Sequence, residues 1–209
     1  MSRVSQTNVR VAAYVDGFNL YNGMHDARRR RSLWLNMESL LGSLLGANQK
    51  LAVVHYFTAL VQGQSRQHQQ TYLGALAAHC ALTELHVGRF QAKQLQCRNC
   101  HHTRTSYEEK ESDVSLAVQL VEDAALDVFD HALIVSGDSD MAPAIRSVRR
   151  IASHKRLVAV FPPRRSSVTL KNTVDATLQI YDRVPERHLL PDNVKAVDGT
   201  AFNRPSHWR

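Results

Sequence analysis

The sequence contains little of what secreted, membrane-bound or disulfide-stabilised proteins need. It has three cysteines among 209 residues, Cys80, Cys97 and Cys100. This low, odd number argues against a disulfide framework and favours a reducing compartment. No run approaches the roughly 20 apolar residues that a membrane helix requires, and residues 1–10 lack the apolar segment of a secretory signal. We therefore expect a cytoplasmic protein with no membrane partner.

Several motifs of common enzyme classes are also absent. No G-x-G-x-x-G follows the first apolar run and no P-loop is present, which argues against dinucleotide-dependent oxidoreductases and P-loop nucleotide hydrolases. No G-x-S-x-G marks a serine hydrolase. In contrast, the net charge is +7 with an isoelectric point near 9.6. A basic surface favours a polyanionic partner, although many basic proteins bind no nucleic acid.

Short apolar runs alternate with segments of helical periodicity. Strands are predicted at 11–15, 51–57, 82–87, 131–135, 157–161 and 177–181, and helices at 33–45, 64–81, 108–125, 141–151 and 167–174. Strands that alternate with helices predict a mostly parallel sheet with helices on both faces. The polar, proline-containing tail from Pro185 onward is predicted to be peripheral or mobile.

Carboxylates follow the predicted strands at positions where they could meet. Asp16 follows the first strand, and Asp138 and Asp140 follow the fourth, which we expect to lie beside the first. Glu109 and Asp113 are four residues apart at the start of a predicted helix and would share one face. Ligand sites in open α/β sheets lie at the carboxyl ends of the strands, so these acids are expected at one edge.

Each acid also has an ordinary structural interpretation. Asp16 could form a turn with Gly17, Asp138 could cap the next helix, and Glu109 and Asp113 could complement a helix dipole. If the acids cluster, their repulsion calls for a cation. Mg²⁺ prefers oxygen ligands and can orient a phosphodiester for cleavage.

Three segments carry a resemblance to a known family. They are Tyr14–Leu20 (YVDGFNL), Glu109–Val114 (EKESDV) and Val135–Met141 (VSGDSDM), and they resemble the signature motifs of the NYN domain family. The match is closest to its LabA-like branch, related to PIN and FLAP nucleases, and spans about Val11 to Tyr181.

The resemblance implies an α/β, Rossmann-like PIN-type three-layer fold with a mostly parallel central sheet of five to six strands. The expected division is an N-terminal extension at 1–10, the domain at 11–183 with a cysteine-containing insertion at about 88–107, and a C-terminal tail at 184–209.

The resemblance also implies metal-dependent hydrolysis of RNA, single-stranded in our interpretation, with Mg²⁺ or Mn²⁺ as cofactor. The implied catalytic residues are Asp16, Asn19, Glu109, Asp113 and Asp138, and the implied metal ligands are Asp16, Asp113, Asp138 and Asp140. Asn19 would orient Asp16 or a metal water. The alternative is a non-catalytic RNA-binding or regulatory protein that keeps the NYN fold.

Basic residues and the cysteine pair give further hypotheses. RNA is expected to contact Arg28, Arg29, Arg30, Arg31 and Lys110, because arginine pairs well with phosphate. A solvated surface run is the alternative interpretation of the arginines. The sequence leaves a homodimer open.

Cys97 and Cys100 have zinc-knuckle spacing but supply only half of the four ligands that a structural Zn²⁺ needs. His79 and Cys80 could complete such a site if the hairpin folds back, or a second subunit could. Alternatively, Cys97 and Cys100 are reduced thiols in a polar loop. Cys80 lies on an apolar helix stripe and is expected in the core.

Overall fold

The structure is a computed structural model that describes residues 8–61, 63, 65–96 and 98–208, with the side chains of 89–93 and 104–110 excepted. The strands are β1 (Val9–Asp16), β2 (Gln49–Ala59), β3 (Thr83–Gln96), β4 (Thr103–Lys110), β5 (His131–Val135), β6 (Arg156–Phe161), β7 (Ala176–Gln179), β8 (Asn193–Lys195) and β9 (Ala201–Asn203). The α-helices are α1 (Gly17–Asp26), α2 (Met37–Gly42), α3 (Ser65–His79), α4 (Ser112–Ala125), α5 (Ala142–Ile151) and α6 (Val168–Lys171). Short 3₁₀ turns lie at Arg30–Leu33, Ser139–Met141, Pro185–Arg187 and Ser206–Trp208. Within this described part, no helix combines the length and apolarity needed to cross a membrane.

The main sheet has the strand order β4-β3-β2-β1-β5-β6-β7. All neighbouring pairs are parallel except β3 and β4. The chain runs outward from β1 through β2 and β3, then returns to place β5 on the other side of β1. This confirms the mostly parallel α/β sheet, and it puts the reversal of strand order at β1, where open α/β sheets bind ligands.

Alternate residues of β1 enter two different hydrophobic cores. Val11, Ala13 and Val15 pack with apolar residues of α1, α2 and α3. Ala12 and Tyr14 pack with apolar residues of α4, α5 and α6. Because side chains of a strand alternate between faces, helices on both sides bury residues 11–15 of β1, and three layers result.

The predicted insertion at 88–107 is a β-hairpin that extends the sheet. β3 is longer than predicted, and β4 pairs with it antiparallel, with Gln96 opposite Thr103 and Arg89 opposite Lys110. Glu109 therefore lies in β4 opposite Phe90. Its predicted place on a helix face shared with Asp113 is wrong, because pairing with β3 extends the chain up to Lys110. Glu111 then takes a left-handed conformation, with φ of 82°, before α4 begins.

The predicted helix at 33–45 is also shorter in the structure. The Asn36 side chain accepts a hydrogen bond from the Ser39 N–H at 2.9 Å and caps α2, so the helix begins only at Met37. Just before it, Leu35 forms a β-bridge to Leu189 in the C-terminal segment. Local capping and a distant partner together interrupt the helical pattern.

The segment after Pro185 is not peripheral. Leu190, Val194 and Trp208 are buried in the core shared with α1, α2 and α3. The Trp208 ring lies 6.4 Å from that of Trp34, and the Trp34 indole N–H donates to the Pro191 carbonyl at 2.8 Å. The prediction of a peripheral tail relied on its polar composition, but these few apolar side chains dock the segment on the core.

Candidate active site

Two parallel strands bring the first and third motifs together. β1 and β5 are hydrogen-bonded neighbours, with Val15 opposite Val135. Asp16 and Ser136 come next on the two strands, and their side chains meet at the carboxyl edge of the sheet. Ser136 Oγ donates to Asp16 Oδ2 at 3.0 Å. The expected adjacency of the two motifs is therefore present.

Asp16 is held by the start of the helix that follows it. Its Oδ1 accepts a hydrogen bond from the Asn19 N–H at 2.9 Å, so Asp16 is the N-cap of α1. The Asn19 side chain does not bind Asp16 but accepts from the Gly137 N–H at 2.9 Å. Asn19 thus connects the turn after β1 to the loop after β5.

The loop after β5 is ordered by its own polar side chains. Ser136 Oγ accepts from the Asp138 N–H at 3.0 Å, and Asp138 Oδ1 accepts from the Asp140 N–H at 3.0 Å. Asp138 therefore does cap the turn Ser139–Met141, as the structural interpretation proposed. The cap uses only Oδ1, and the second carboxylate oxygen can serve another purpose. Asp140 is exposed at the rim.

Asp113 comes from the first turn of α4. The residue is exposed, but surrounding protein partly desolvates its carboxyl group. This desolvation and the negative charges of Asp138 and Asp140 raise the pKa of Asp113. Asp113 thus joins the acids of β1 and β5 electrostatically, from a third element.

Burial is the main cause of an unusual pKa at Asp16. It raises the pKa of the carboxyl to about 6, against the lowering effect of hydrogen bonds from Asn19 and Ser136. The charges of Asp113 and Asp138 raise it further. Tyr56 also has a raised pKa, from burial and then from the charge of Asp16. Strongly shifted pKa values of this kind cluster at functional sites.

The four acids suit a hard divalent cation such as Mg²⁺ or Mn²⁺. Asp16, Asp113, Asp138 and Asp140 offer only oxygen ligands, and their mutual repulsion would be relieved by positive charge. Among the described residues, no three of these acids bring carboxylate oxygens within 4.8 Å of one another. An ion at this edge would therefore reach some of the four acids only through bound water, as Mg²⁺ commonly does.

Two glycines allow the backbone to pack closely here. A Cβ on Gly17 would lie 2.7 Å from the Phe57 carbonyl oxygen and 2.9 Å from the Tyr56 ring. A Cβ on Gly137 would lie 2.9 Å from the Arg165 Cβ. Sequence reasoning noted Asp16-Gly17 only as a turn, whereas the structure needs glycine because β2 lies against the start of α1.

The arginine run lines a groove at the end of α1. Arg28, Arg29, Arg30 and Arg31, with His25, Glu186 and His207, surround a space of about 740 Å³. The Arg29 guanidinium lies 3.1 Å from the Glu186 carboxylate. The arginines thus face a concave surface that the C-terminal segment helps to form.

An aromatic cavity of about 470 Å³ adjoins both the groove and the acids. Its wall includes Gly17, the residue after Asp16, and it shares His25, Arg30 and His207 with the groove. Its rings are those of Phe18, Tyr21, Tyr56, Tyr72 and Trp208. Sequence reasoning missed this cavity because its rings come from four separate segments.

Some predicted site residues lie wholly or partly outside the described residues. The side chains of Glu109 and Lys110 lie outside the described residues, as does Cys97. Cys100 is an exposed free thiol. Cys80 is 2% exposed in the core, as predicted, and its thiol contacts Asn36 Oδ1 at 3.5 Å. The zinc site at Cys97 and Cys100 stays a prediction.

Comparison with known families decides the classification. The model of the NYN domain matches residues 10–181. The chain belongs to the NYN domain family. The match contains β1, β5 and the start of α4, so Asp16, Asp113, Asp138 and Asp140 all lie within the NYN domain. Membership supports the general class of PIN-like nucleases.

Two individual proteins are similar to this NYN chain. A 6-hydroxy-3-succinoylpyridine 3-monooxygenase from Pseudomonas putida strain S16 is 26% identical over 178 residues, which cover 68% of this chain and 56% of the relative. The chain thus matches little more than half the length of that relative. A crystal structure of a protein of unknown function from Vibrio parahaemolyticus has a TM-score of 0.56 and 19% identity, over 87% of this chain and 98% of the other. This structural likeness concerns the fold alone.

Proposed function

We propose that the protein is a metal-dependent ribonuclease that hydrolyses phosphodiester bonds of single-stranded RNA. The observation that carries the proposal is the electrostatic coupling of carboxylates from β1, the loop after β5 and α4 at the sheet edge. In addition to burial, the charges of Asp113 and Asp138 raise the pKa of Asp16, to about 6. Acids gathered at a topological switch point are well placed to bind a cation and a phosphate together.

Asp16, Asp113, Asp138 and Asp140 would hold Mg²⁺ or Mn²⁺ in this proposal. When bound, such an ion supplies a Lewis acid for the phosphate oxygens and lowers the pKa of a coordinated water. Neighbouring residues of the chain hold these acids in position. Ser136 and the Asn19 N–H fix the Asp16 carboxylate, and Asn19 fixes the loop that carries Asp138.

RNA as the substrate is supported by the arginine groove and the aromatic cavity that adjoins it. The groove lined by residues 28–31 offers guanidinium groups to a phosphate chain. The adjoining cavity offers aromatic rings on which an unpaired base can stack. The cavity and the groove share His25, Arg30 and His207, so one RNA strand could contact both.

The decisive experiment is cleavage of end-labelled single-stranded RNA in Mg²⁺, Mn²⁺ or EDTA. Wild-type protein should cut only with metal, and Asp16→Asn and Asp138→Asn should each lose at least about 100-fold in rate, because transition-state charge loses its stabilisation. Asp198→Asn is the matched control, since Asp198 is exposed in the β8–β9 turn. It should cut like wild type.

Cleavage that survives both active-site substitutions would overturn the proposed site. An absence of cutting together with saturable RNA binding would favour the non-catalytic alternative. Single-stranded DNA of the same sequence belongs in every assay, because contacts to the 2′-OH distinguish the two substrates. Equal rates on both would replace RNA specificity with general nuclease activity.

A second candidate is binding of a small heteroaromatic acid. The Pseudomonas putida relative is named for action on a substituted pyridine, and the aromatic cavity here is lined by Arg30 and three histidines as well as by its aromatic rings. Calorimetric titration with 6-hydroxy-3-succinoylpyridine and with a short RNA separates the two. Saturable binding of the pyridine with no RNA binding would favour the second candidate.

A further inference from the structure

A second group of metal-ligating side chains lies on β2 and β3, apart from the four acids. One ligand atom each from His55, Glu84 and His86 lies within 4.8 Å of the other two. The register of the sheet brings them together, since His55 pairs with Glu84 and Phe57 pairs with His86. His55 is 4% exposed, whereas Glu84 is exposed and His86 half-buried. The group is therefore anchored inside and open to solvent on one side.

Asp123 of α4 fixes the orientation of His55 from the opposite side of its ring. Asp123 Oδ2 lies 3.1 Å from His55 Nε2, and Asp123 is itself only 4% exposed. The same carboxylate accepts hydrogen bonds from the Tyr14 hydroxyl at 2.7 Å and from the Gln119 amide at 2.9 Å. A carboxylate with these donors acts as an acceptor toward His55 too, so the proton of a neutral His55 is on Nε2.

This tautomer leaves a lone pair on His55 Nδ1, and it faces the other two ligands. Nδ1 lies 3.0 Å from His86 Nε2 and 3.4 Å from Glu84 Oε2. A carboxylate oxygen and an imidazole lone pair at such a distance repel each other unless a cation or a proton lies between them. Either a proton on His86 Nε2 or a metal cation can satisfy this lone pair.

The two distances from His55 Nδ1 match the ligand separations of a tetrahedral zinc site. Zn–N bonds of about 2.0–2.1 Å at tetrahedral angles separate neighbouring ligand atoms by about 3.3 Å. Both rings are also held in place by stacking. The Tyr14 and His55 centroids are 5.4 Å apart at 25°, and those of Phe57 and His86 are 4.4 Å apart at 16°. Little rearrangement would be needed for an ion to bind.

We propose that His55, Glu84 and His86 form a zinc site with a fourth position open to water or another ligand. Imidazole nitrogen suits Zn²⁺, whereas the oxygen-only acids at the sheet edge suit Mg²⁺ or Mn²⁺. The Asp123 contact to the non-ligating nitrogen of His55 is the arrangement by which proteins commonly orient a metal-binding histidine. The ion would link β2 and β3 directly, and α4 through Asp123.

The test is calorimetric titration of the full chain, stripped with EDTA and dialysed, with ZnCl₂ at neutral pH. Wild type should bind one Zn²⁺ per chain at this site, and added Co²⁺ should give the visible absorption of tetrahedral coordination. His86→Ala and Glu84→Gln, at the solvent-facing side, should each weaken binding at least tenfold. Asp123→Asn should weaken it roughly 10- to 100-fold, because it changes the orientation of His55.

Three controls separate this site from others. His154→Ala removes an exposed histidine elsewhere and should bind Zn²⁺ like wild type. A Cys97→Ser/Cys100→Ser variant and Asp16→Asn should both retain the site. Circular dichroism confirms that each variant is folded.

The proposal is overturned if wild type gives no saturable zinc binding, since the cluster would then hold only a proton. It is equally overturned if binding persists in His86→Ala and Glu84→Gln but disappears in the double cysteine variant. RNA cleavage is measured separately, so failure here leaves the proposed ribonuclease site untouched.

Discussion

Asp16 combines a structural role with a charge that its surroundings oppose. Its carboxylate caps α1 and accepts from Ser136, yet burial raises its pKa to about 6. Folding therefore favours the protonated group, whereas a metal site needs the carboxylate. A residue with this conflict is expected to lower stability in exchange for function.

The first stability prediction concerns Asp16→Asn in EDTA. The pKa of Asp16 is higher in the folded state than in the unfolded chain, so its contribution is most favourable below about pH 4. The contribution is lost as pH rises through about 6. At about pH 8 the free energy of unfolding of the variant should exceed that of wild type by up to about 3 kcal/mol. This difference should shrink toward pH 4.

Urea unfolding across this pH range measures the effect. Asp198→Asn is again the control and should show no such gain, because Asp198 is exposed. A variant less stable than wild type at both ends of the range would show that the hydrogen bonds of Asp16 outweigh its desolvation.

At the scale of elements, the site depends on how closely α1 and β2 approach. Gly17 begins α1, and Tyr56 and Phe57 of β2 lie directly against it. The contact with the Phe57 carbonyl is to backbone in the middle of the sheet, which cannot move without breaking strand pairing. The direction of α1, and with it the Asn19 contact to Gly137, follows from this packing.

Gly17→Ala should therefore be disruptive although alanine favours helices. We expect a loss of about 1–3 kcal/mol in the free energy of unfolding from overpacking, with reduced RNA cleavage. Gly42→Ala is the matched control, since a Cβ there meets nothing within 4 Å at the end of α2. It should be neutral or stabilise by up to about 1 kcal/mol. Thermal unfolding of both proteins tests this, and equal melting temperatures would contradict the packing argument.

At the scale of the whole molecule, the C-terminal segment completes surfaces that the family domain begins. The NYN match ends at residue 181, but Glu186 and His207 line the arginine groove, and Trp208 lines the aromatic cavity. Trp208 also packs against Trp34 and Tyr72. Sequence outside the family domain thus shapes the surface next to the acids.

Trp208→Ala should reduce the free energy of unfolding by about 3 kcal/mol or more, since a large buried ring is lost. It should also weaken binding of single-stranded RNA, because the cavity loses one wall. Val197→Ala, at a fully exposed position of the same segment, is the control and should change neither. Denaturant unfolding and fluorescence anisotropy measure the two effects. Unchanged stability in Trp208→Ala would mean that the segment docks weakly in solution.

Local pattern predicted much of the fold and most of the candidate acids. The alternation of apolar runs with helical periodicity gave the order of β1, β2, β5 and β6, because burial on both faces leaves a continuous apolar signature. Asp16 and Asp138 could be placed at one edge because parallel strands end together. The buried position of Cys80 followed from its helix stripe in the same way.

Tertiary structure decided whatever depends on pairing between distant segments. Residue 109 lies in a strand because β3 offers a partner, although its own neighbourhood also permits a helix. Leu190, Val194 and Trp208 dock the C-terminal segment on the core, although the average composition of the segment is polar. His55, Glu84 and His86 meet only through the register of β2 and β3. Local sequence encodes which faces are apolar, but register and docking arise from contacts that no short window contains.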